Sequence, residues 1–112
     1  MSQTPVSLTR VGAVAVISVD NPPVNALSRA VRTGLLDAIR AVQADPELAA
    51  AVIRCAGRTF IAGADITEFA RPAEAPFLPE VTQTIEASSK PFVAALHGTA
   101  LGGGFEIALA TH

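Results

Sequence analysis

Gly102, Gly103 and Gly104 stand in a row, and Glu106 follows two residues later. Three consecutive residues without a Cβ let a backbone pass where no side chain would fit. Phe92 to Leu96 before them is apolar and reads as a strand, and Gly104 to Thr111 reads as the start of a helix. A helix beginning in such a turn aims unpaired N–H groups and its positive dipole end into the space left open. That arrangement binds an anion, or steadies one that develops during a reaction. Glu106, in the first turn, adds a carboxylate able to give or take a proton. The plainer alternative is that the glycines only permit tight helix–strand packing and Glu106 only complements the dipole. On these residues alone both stand.

Thr59 to Phe69, with Gly63 and Asp65, is a second glycine-bearing turn from strand to helix. It is either an ordinary turn with Asp65 as the N-cap or half of a shared device. Two such turns in one small chain can each offer a backbone N–H to the same oxygen. A nucleotide loop fits poorly. In the G-x-G-x-x-G pattern the third glycine would fall at Ile107 counting from Gly102, and the second at Ala100 counting from Gly98. No Gly-Lys-Ser/Thr run exists. With one cysteine and only His97 and His112, no metal-ligand spacing is present.

The elements that must position these residues follow from periodicity. Val6 to Arg10 alternates like an edge strand. After Gly12, Ala13 to Val19 is rich in β-branched residues and predicts a second, more buried strand of a hairpin. Asp20-Asn21-Pro22-Pro23 ends it. Ser28 is a good N-cap, and Val31, Leu35, Ile39 and Val42 recur at helical spacing as far as Ala44. Gly34 within that helix costs about 1 kcal/mol against Ala, which implies close packing there. Ala50 to Cys55 reads as a strand, 66–69 as a short helix, and 71–79 as a loop with three prolines. A helix follows with Pro79 in its first turn and Val81 and Ile85 on one face. Strand, strand, helix, strand, helix, strand, helix argues for an α/β fold with parallel strands. The second half is a loose echo of the first, short of a solenoid repeat.

At 112 residues the chain fits one domain. Trp and Tyr are absent, so the core must be Val, Ile, Leu and Ala with a few of the five Phe. A mean hydropathy of +0.43 is high for a soluble monomer and implies apolar surface buried by something outside these residues, a further segment or a subunit. A net charge of −2 argues against a phosphate-gripping nucleic-acid binder. Cys55 has no intrachain partner, fits a reducing compartment and reads as a small buried hydrophobe. No run is long enough to span a membrane, and Val11 to Val19 lacks the flanks of a secretory signal, so a cytoplasmic location is expected.

Three segments in order carry a family resemblance. Asn21-Pro22-Pro23-Val24-Asn25-Ala26-Leu27-Ser28, Phe60-Ile61-Ala62-Gly63-Ala64-Asp65-Ile66 and Lys90 to Ala110 resemble the crotonase family, the enoyl-CoA hydratase/isomerase superfamily. Their wording, above all His97-Gly98-Thr99-Ala100-Leu101-Gly102-Gly103-Gly104, is similar to the hydratase part of multifunctional fatty-acid oxidation enzymes. The resemblance runs from about Ala13 to His112. It implies a crotonase-like (ClpP/crotonase) fold of repeated ββα units and an acyl-CoA thioester as substrate. Coenzyme A is then part of the substrate, with no separate cofactor and no metal. It implies an oxyanion hole formed by the N–H groups of Ala64 and Gly103, with Glu106 acting on the water added across a 2-trans-enoyl-CoA. Ala26, Leu27, Ala62, Asp65 and Ile66 fall in segments that line the coenzyme A site of the family. A homo-oligomer, a trimer or dimer of trimers, is the implied assembly.

Hydratases of the family use a second glutamate on a segment after the helix that begins at Gly104, and this sequence does not contain it. Residues 1–112 are therefore expected to be the N-terminal part of a single crotonase-like domain, incomplete at the C-terminus. Two alternatives remain: an enoyl-CoA isomerase, which shuttles a proton and adds no water, and a non-catalytic segment that binds acyl-CoA or serves assembly. Arg58, Arg71 and Lys90 are placed to meet coenzyme A phosphates, though solvated surface is the plainer reading for each. Glu68 and Glu80 are expected to be solvated, and His97 to be packed in or after a strand.

Overall fold

The N-terminal alternation folds as two antiparallel strands, β1 (Val6–Val11) and β2 (Val14–Val19). Five elements follow: α1 (Arg29–Ala44), β3 (Ala50–Cys55), α2 (Leu78–Glu86), β4 (Phe92–Ala94) and α3 (Gly103–Ala110). The computed structural model describes residues 4–63, 65, 68, 70 and 72–112. The seven elements appear in the expected order. The short helix expected over 66–69 lies outside the described residues except for Glu68, whose N–H donates to the Asp65 carbonyl at 3.1 Å. The expected strand to Leu96 stops at Ala94, although Ala95 N–H still reaches the Ile53 carbonyl at 2.9 Å.

The sheet order is β1-β2-β3-β4, with β2, β3 and β4 parallel. Parallel neighbours need a crossover, which α1 supplies between β2 and β3 and α2 between β3 and β4. One sheet face is fully packed: Ala15, Ile17 and Val19 of β2, and Ala51, Ile53 and Cys55 of β3, are buried. They meet Val31, Leu35, Ile39 and Val42 of α1 and Val81 and Ile85 of α2, the apolar stripes that helical spacing marks. Ile107 ties α3 into the same core. The second face carries Val16, Val52 and Val93 in one cross-strand row, only partly covered. The parallel strands are thus buried on one face. The apolar excess of the composition lies on this second face and at the exposed Leu96, Leu101, Phe105 and Leu109.

Local chemistry fixes the element ends. Ser28 Oγ accepts the Val31 N–H at 3.2 Å, the expected N-cap. Lys90 Nζ donates to the Val42 and Asp45 carbonyls at 2.7 and 2.6 Å, closing the C-terminal end of α1. Lys90 is therefore a helix-end ligand, and its ammonium is engaged there. Glu80, exposed as expected, pairs with Arg40 at 3.1 Å. Cys55 is buried, as its isolation in an apolar strand implied. Burial pushes its thiol up from 9.0 to about 11, and a backbone hydrogen bond with Ile61 and the charge of Arg54 offset only part of that.

Two outcomes follow from this packing. A Cβ at Gly34 would lie 2.7 Å from Val6 Cβ, where β1 presses on α1. Gly34→Ala is expected to lower the thermal midpoint despite Ala being the better helix former, because overpacking costs about 1–3 kcal/mol against a gain of about 1. A higher midpoint would mean that Val6 gives way. For Cys55, both states are protonated below pH 9, and the unfolded thiol ionises first above it. Its contribution is thus complete below pH 9 and lost as pH rises towards 11. Denaturant titrations of the native chain and Cys55→Val should diverge only in that window, the native chain losing more.

Candidate active site

Three chain segments meet at the ends of the parallel strands, and backbone hydrogen bonds lace them together. Ala62 N–H donates to the Val24 carbonyl at 3.0 Å, and Leu27 N–H to the Gly63 carbonyl at 3.0 Å. On the other side Gly63 N–H donates to Leu101 at 3.1 Å, Leu101 N–H to Ile61 at 3.2 Å, and Phe60 N–H to His97 at 2.8 Å. Segment 60–63 is thus the middle strip between 24–27 and 97–101, with Ala62 and Leu101 forming a parallel bridge.

Two buried polar side chains hold this lattice in register. Asn25, 3% exposed and with φ at +54°, donates through Nδ2 to the Ala56 and Thr59 carbonyls at 2.8 and 2.9 Å. Its Oδ1 accepts the Asn21 N–H at 2.8 Å. Asparagine tolerates that left-handed backbone better than most residues. Thr59 Oγ1 donates to the Thr99 carbonyl at 2.5 Å and accepts the Thr99 N–H at 2.7 Å, a two-point staple across the strips. Neither residue stood out in the sequence. The signal for Asn25 was its place in a proline-rich turn; Thr59 gave none, because its partner is 40 residues away.

The three glycines do three different things. Gly102 precedes α3 with φ +52°, a backbone that favours glycine. A Cβ at Gly104 would overlap the Ile61 carbonyl, so α3 rests directly on the middle strip. A Cβ at Gly103 would meet the tip of Leu27 at 2.6 Å and Leu78 at 3.2 Å. The packing alternative is therefore real for Gly104, where the obstacle is backbone, whereas at Gly103 only side-chain ends stand close, beside a cleft. This cleft is largely apolar, about 340 Å³, lined by Leu27, Phe77, Leu78, Pro79 and Gly103, with Asp65, Arg32 and Glu68 on its polar side. Gly104 N–H bonds the Leu101 carbonyl at 2.9 Å and Glu106 N–H the Gly102 carbonyl at 3.1 Å. Gly103 N–H has no acceptor among the described residues.

A second groove, about 730 Å³, runs along the same lattice past Pro23, Val24, Arg58, Ala62, Thr99 and Leu101. Of the residues singled out in the sequence, Leu27, Asp65 and Gly103 meet at the cleft and Ala62 lies on the groove. Ala26 is half-buried in the turn, its carbonyl taken by Asn21 Nδ2 at 2.9 Å and Ser28 N–H at 2.9 Å. Ala64, Ile66 and Arg71 lie outside the described residues. Glu106 is exposed on the first turn of α3 and lines neither cavity. Arg58 is exposed on the groove. Two expectations are corrected. Glu68 is half-buried: one oxygen lies 3.3 Å from Arg32 Nη1 and the other accepts the Arg29 N–H at 2.8 Å, because the start of α1 supplies a donor and a cation together. His97 is exposed just beyond the short β4, its Nε2 3.0 Å from the Gly57 carbonyl.

The family model for enoyl-CoA hydratase/isomerase matches residues 9–112. The chain is 49% identical over 100 residues to a peroxisomal bifunctional enzyme of Danio rerio, covering 89% of this chain and 14% of that protein. It is 40% identical over 106 residues to a probable enoyl-CoA hydratase of Bacillus subtilis, covering 88% and 41%. A crystal structure of enoyl-CoA hydratase from Mycobacterium tuberculosis superposes with a TM-score of 0.88 at 32% identity, covering 98% of this chain and 44% of that one. The chain thus spans less than half the length of each of these relatives. The fold is the crotonase fold, as far as these residues build it.

The different surroundings of adjacent glycines separate fold from site. Gly104→Ala sets a Cβ against backbone and is expected to abolish cooperative unfolding in a circular-dichroism melt. Gly103→Ala meets only the tips of Leu27 and Leu78, so the melt should be retained, with its midpoint within a few degrees of the native one. Equal damage from both would refute the distinction.

Proposed function

The chain belongs to the enoyl-CoA hydratase/isomerase family, and from that premise we propose that it forms the thioester-binding part of an enoyl-CoA hydratase of fatty-acid oxidation. The reaction is the reversible addition of water to a 2-trans-enoyl-CoA: hydroxyl joins C3, a proton joins C2, and 3-hydroxyacyl-CoA results. The observation that carries this reading is Gly103, which lines an apolar cleft and whose N–H has no acceptor among the described residues. Attack at C3 drives electrons onto the thioester oxygen. A fixed N–H and the positive end of α3 aimed at that oxygen stabilise the enolate more than the ground state. Ala64 N–H is the proposed second donor. The apolar cleft suits the acyl chain, and the groove past Ala62 suits the pantetheine arm, with Arg58 beside it for phosphate. Ala26 and Ile66 belong to the proposed coenzyme A surroundings.

Glu106 is the proposed acid/base group of this chain. Every step moves a proton or adds water, so the reading calls for no cofactor apart from the coenzyme A carried by the substrate. A homo-oligomer, trimer or dimer of trimers, is proposed from the family and from the exposed apolar residues around α3. No nucleic-acid partner is proposed. Among the described residues no helix is long and apolar enough to cross a membrane. A cytoplasmic location remains the proposal, supported by the single reduced-type cysteine; the peroxisomal names belong to the relatives. One observation favours a second reading: Glu106 lies outside both cavity linings, as a segment that binds acyl-CoA without hydrating it would have it.

The deciding experiment follows loss of the enoyl absorbance of crotonoyl-CoA, with calorimetric titration of the same ligand. The expected outcome is binding by the native chain and by Glu106→Gln and, once each is extended to the full length of a family hydratase, turnover that falls at least about a hundredfold in the variant. Unchanged turnover in the variant removes Glu106 from the chemistry. Binding without any turnover selects the second reading, and no binding overturns both.

A further inference from the structure

Two arginines one helical turn apart hold three consecutive carbonyls of the proline-rich segment. Arg32 donates through Nε to Pro76 at 2.7 Å and through Nη2 to Glu74 at 3.2 Å. Arg29 Nε donates to the carbonyl between them, Ala75, at 2.8 Å. Arg32 Nη1 also reaches the Leu27 carbonyl at 2.9 Å and Glu68 Oε1 at 3.3 Å. Its side chain is 13% exposed. Four of its five N–H bonds are therefore committed within the chain, so the guanidinium has little left for a ligand anion.

We propose that Arg32 is a positioning residue for acyl-chain selection: it bolts segment 74–76 to the start of α1 and thereby fixes one wall of the cleft. The wall begins where the clamped segment ends, at Phe77, Leu78 and Pro79. Phe77 is half-exposed and has little packing of its own to hold it. Through the Leu27 carbonyl the same guanidinium also fixes the opposite wall. Leu27 N–H is bonded to Gly63 and its side chain lies over Gly103. One planar fork thus sets the distance between the two apolar walls. Glu68 holds the fork in plane and caps the Arg29 N–H. A lysine would keep the charge opposite Glu68 but has no fork to span the three carbonyls.

This inference rests on the reading of the cleft as the acyl site, and its test has one arm that does not. The first arm is backbone 15N relaxation of the full chain. In Arg32→Gln, the heteronuclear NOE at 73–75 and 77–78 should fall, while β2 and β3 stay as rigid as in the native chain. The second arm is affinity for free coenzyme A, crotonoyl-CoA and 2-trans-decenoyl-CoA. Arg32→Gln should lose about tenfold for the decenoyl ligand and less than about twofold for the other two. A purely structural loss would weaken all three together, and that result overturns the proposal, as does an unchanged heteronuclear NOE across 73–78. If Arg32→Gln does not fold, Arg32→Lys keeps the ion pair and should show the same chain-length split at about threefold; an equal loss for all three ligands, or none, overturns it. If the native chain binds no acyl-CoA, the functional reading falls, and the relaxation arm still decides whether Arg32 holds the wall.

Discussion

The carbonyl of Ile61 occupies the space that a side chain on residue 104 would need, and the site depends on that contact. A helix laid on the edge of a middle strip, backbone against backbone, has its first N–H groups placed to within a fraction of an ångström. Any Cβ between them would push α3 away and turn a directed donor into an undirected one. Gly102 makes the approach possible by turning the chain through a left-handed conformation, and Ile107 keeps the helix down by burying itself in the core. Gly103 is left at the cleft, its N–H without an acceptor among the described residues. The order at this helix start is a consequence of packing, because the backbone is fixed before any ligand arrives.

The strip that α3 rests on has to be rigid as well, and polar groups provide that rigidity. Segment 60–63 lies outside the main sheet, and its backbone bonds run to two loops, with Phe60, Ala62 and Gly63 donating and Ile61 and Gly63 accepting. Loops alone would slip. Asn25 and Thr59 prevent this because each is buried, and a buried polar group that loses its partners costs about 1–3 kcal/mol. Their alternatives are therefore expensive, and a single register survives. The main sheet is held differently, by apolar burial against α1 and α2. Apolar burial fixes position loosely and tolerates repacking, whereas hydrogen bonds to fixed carbonyls fix it closely. The molecule uses the first for bulk stability and the second along the strip beside the cleft and the groove.

What could be read in the sequence divides along the same line. Helix α1, its Ser28 cap, the strands β2 and β3 and the close contact at Gly34 follow from local periodicity and propensity, and all are present. The glycine run and the second turn at Gly63 were legible as a pair because unusual backbone needs unusual residues. Asn25, Thr59, Arg32 and Glu68 were not, since their long-range partners lie 31 to 44 residues away. Glu68 shows the reason most clearly. In a sequence it is a surface carboxylate; in the fold, the first N–H of α1 and a half-buried guanidinium converge on it. Lys90 was open to misreading for the same reason: its two acceptors are carbonyls at a helix end 45 and 48 residues earlier.

The arrangement also separates what must stay constant from what can vary. The donor at Gly103 is fixed by contacts among 61–63, 97–104 and the core, none of which involves segment 72–77. That segment reaches the site only through arginine side chains and the cleft wall it carries. A change in the length or composition of 72–77 would reshape the cleft wall and leave the contacts that hold Gly103 in place. The two sides of the cleft thus rest on different sets of bonds, the first on backbone packed against backbone and the second on two guanidinium groups. A fold built this way can alter that wall without disturbing the helix start that packs on Ile61.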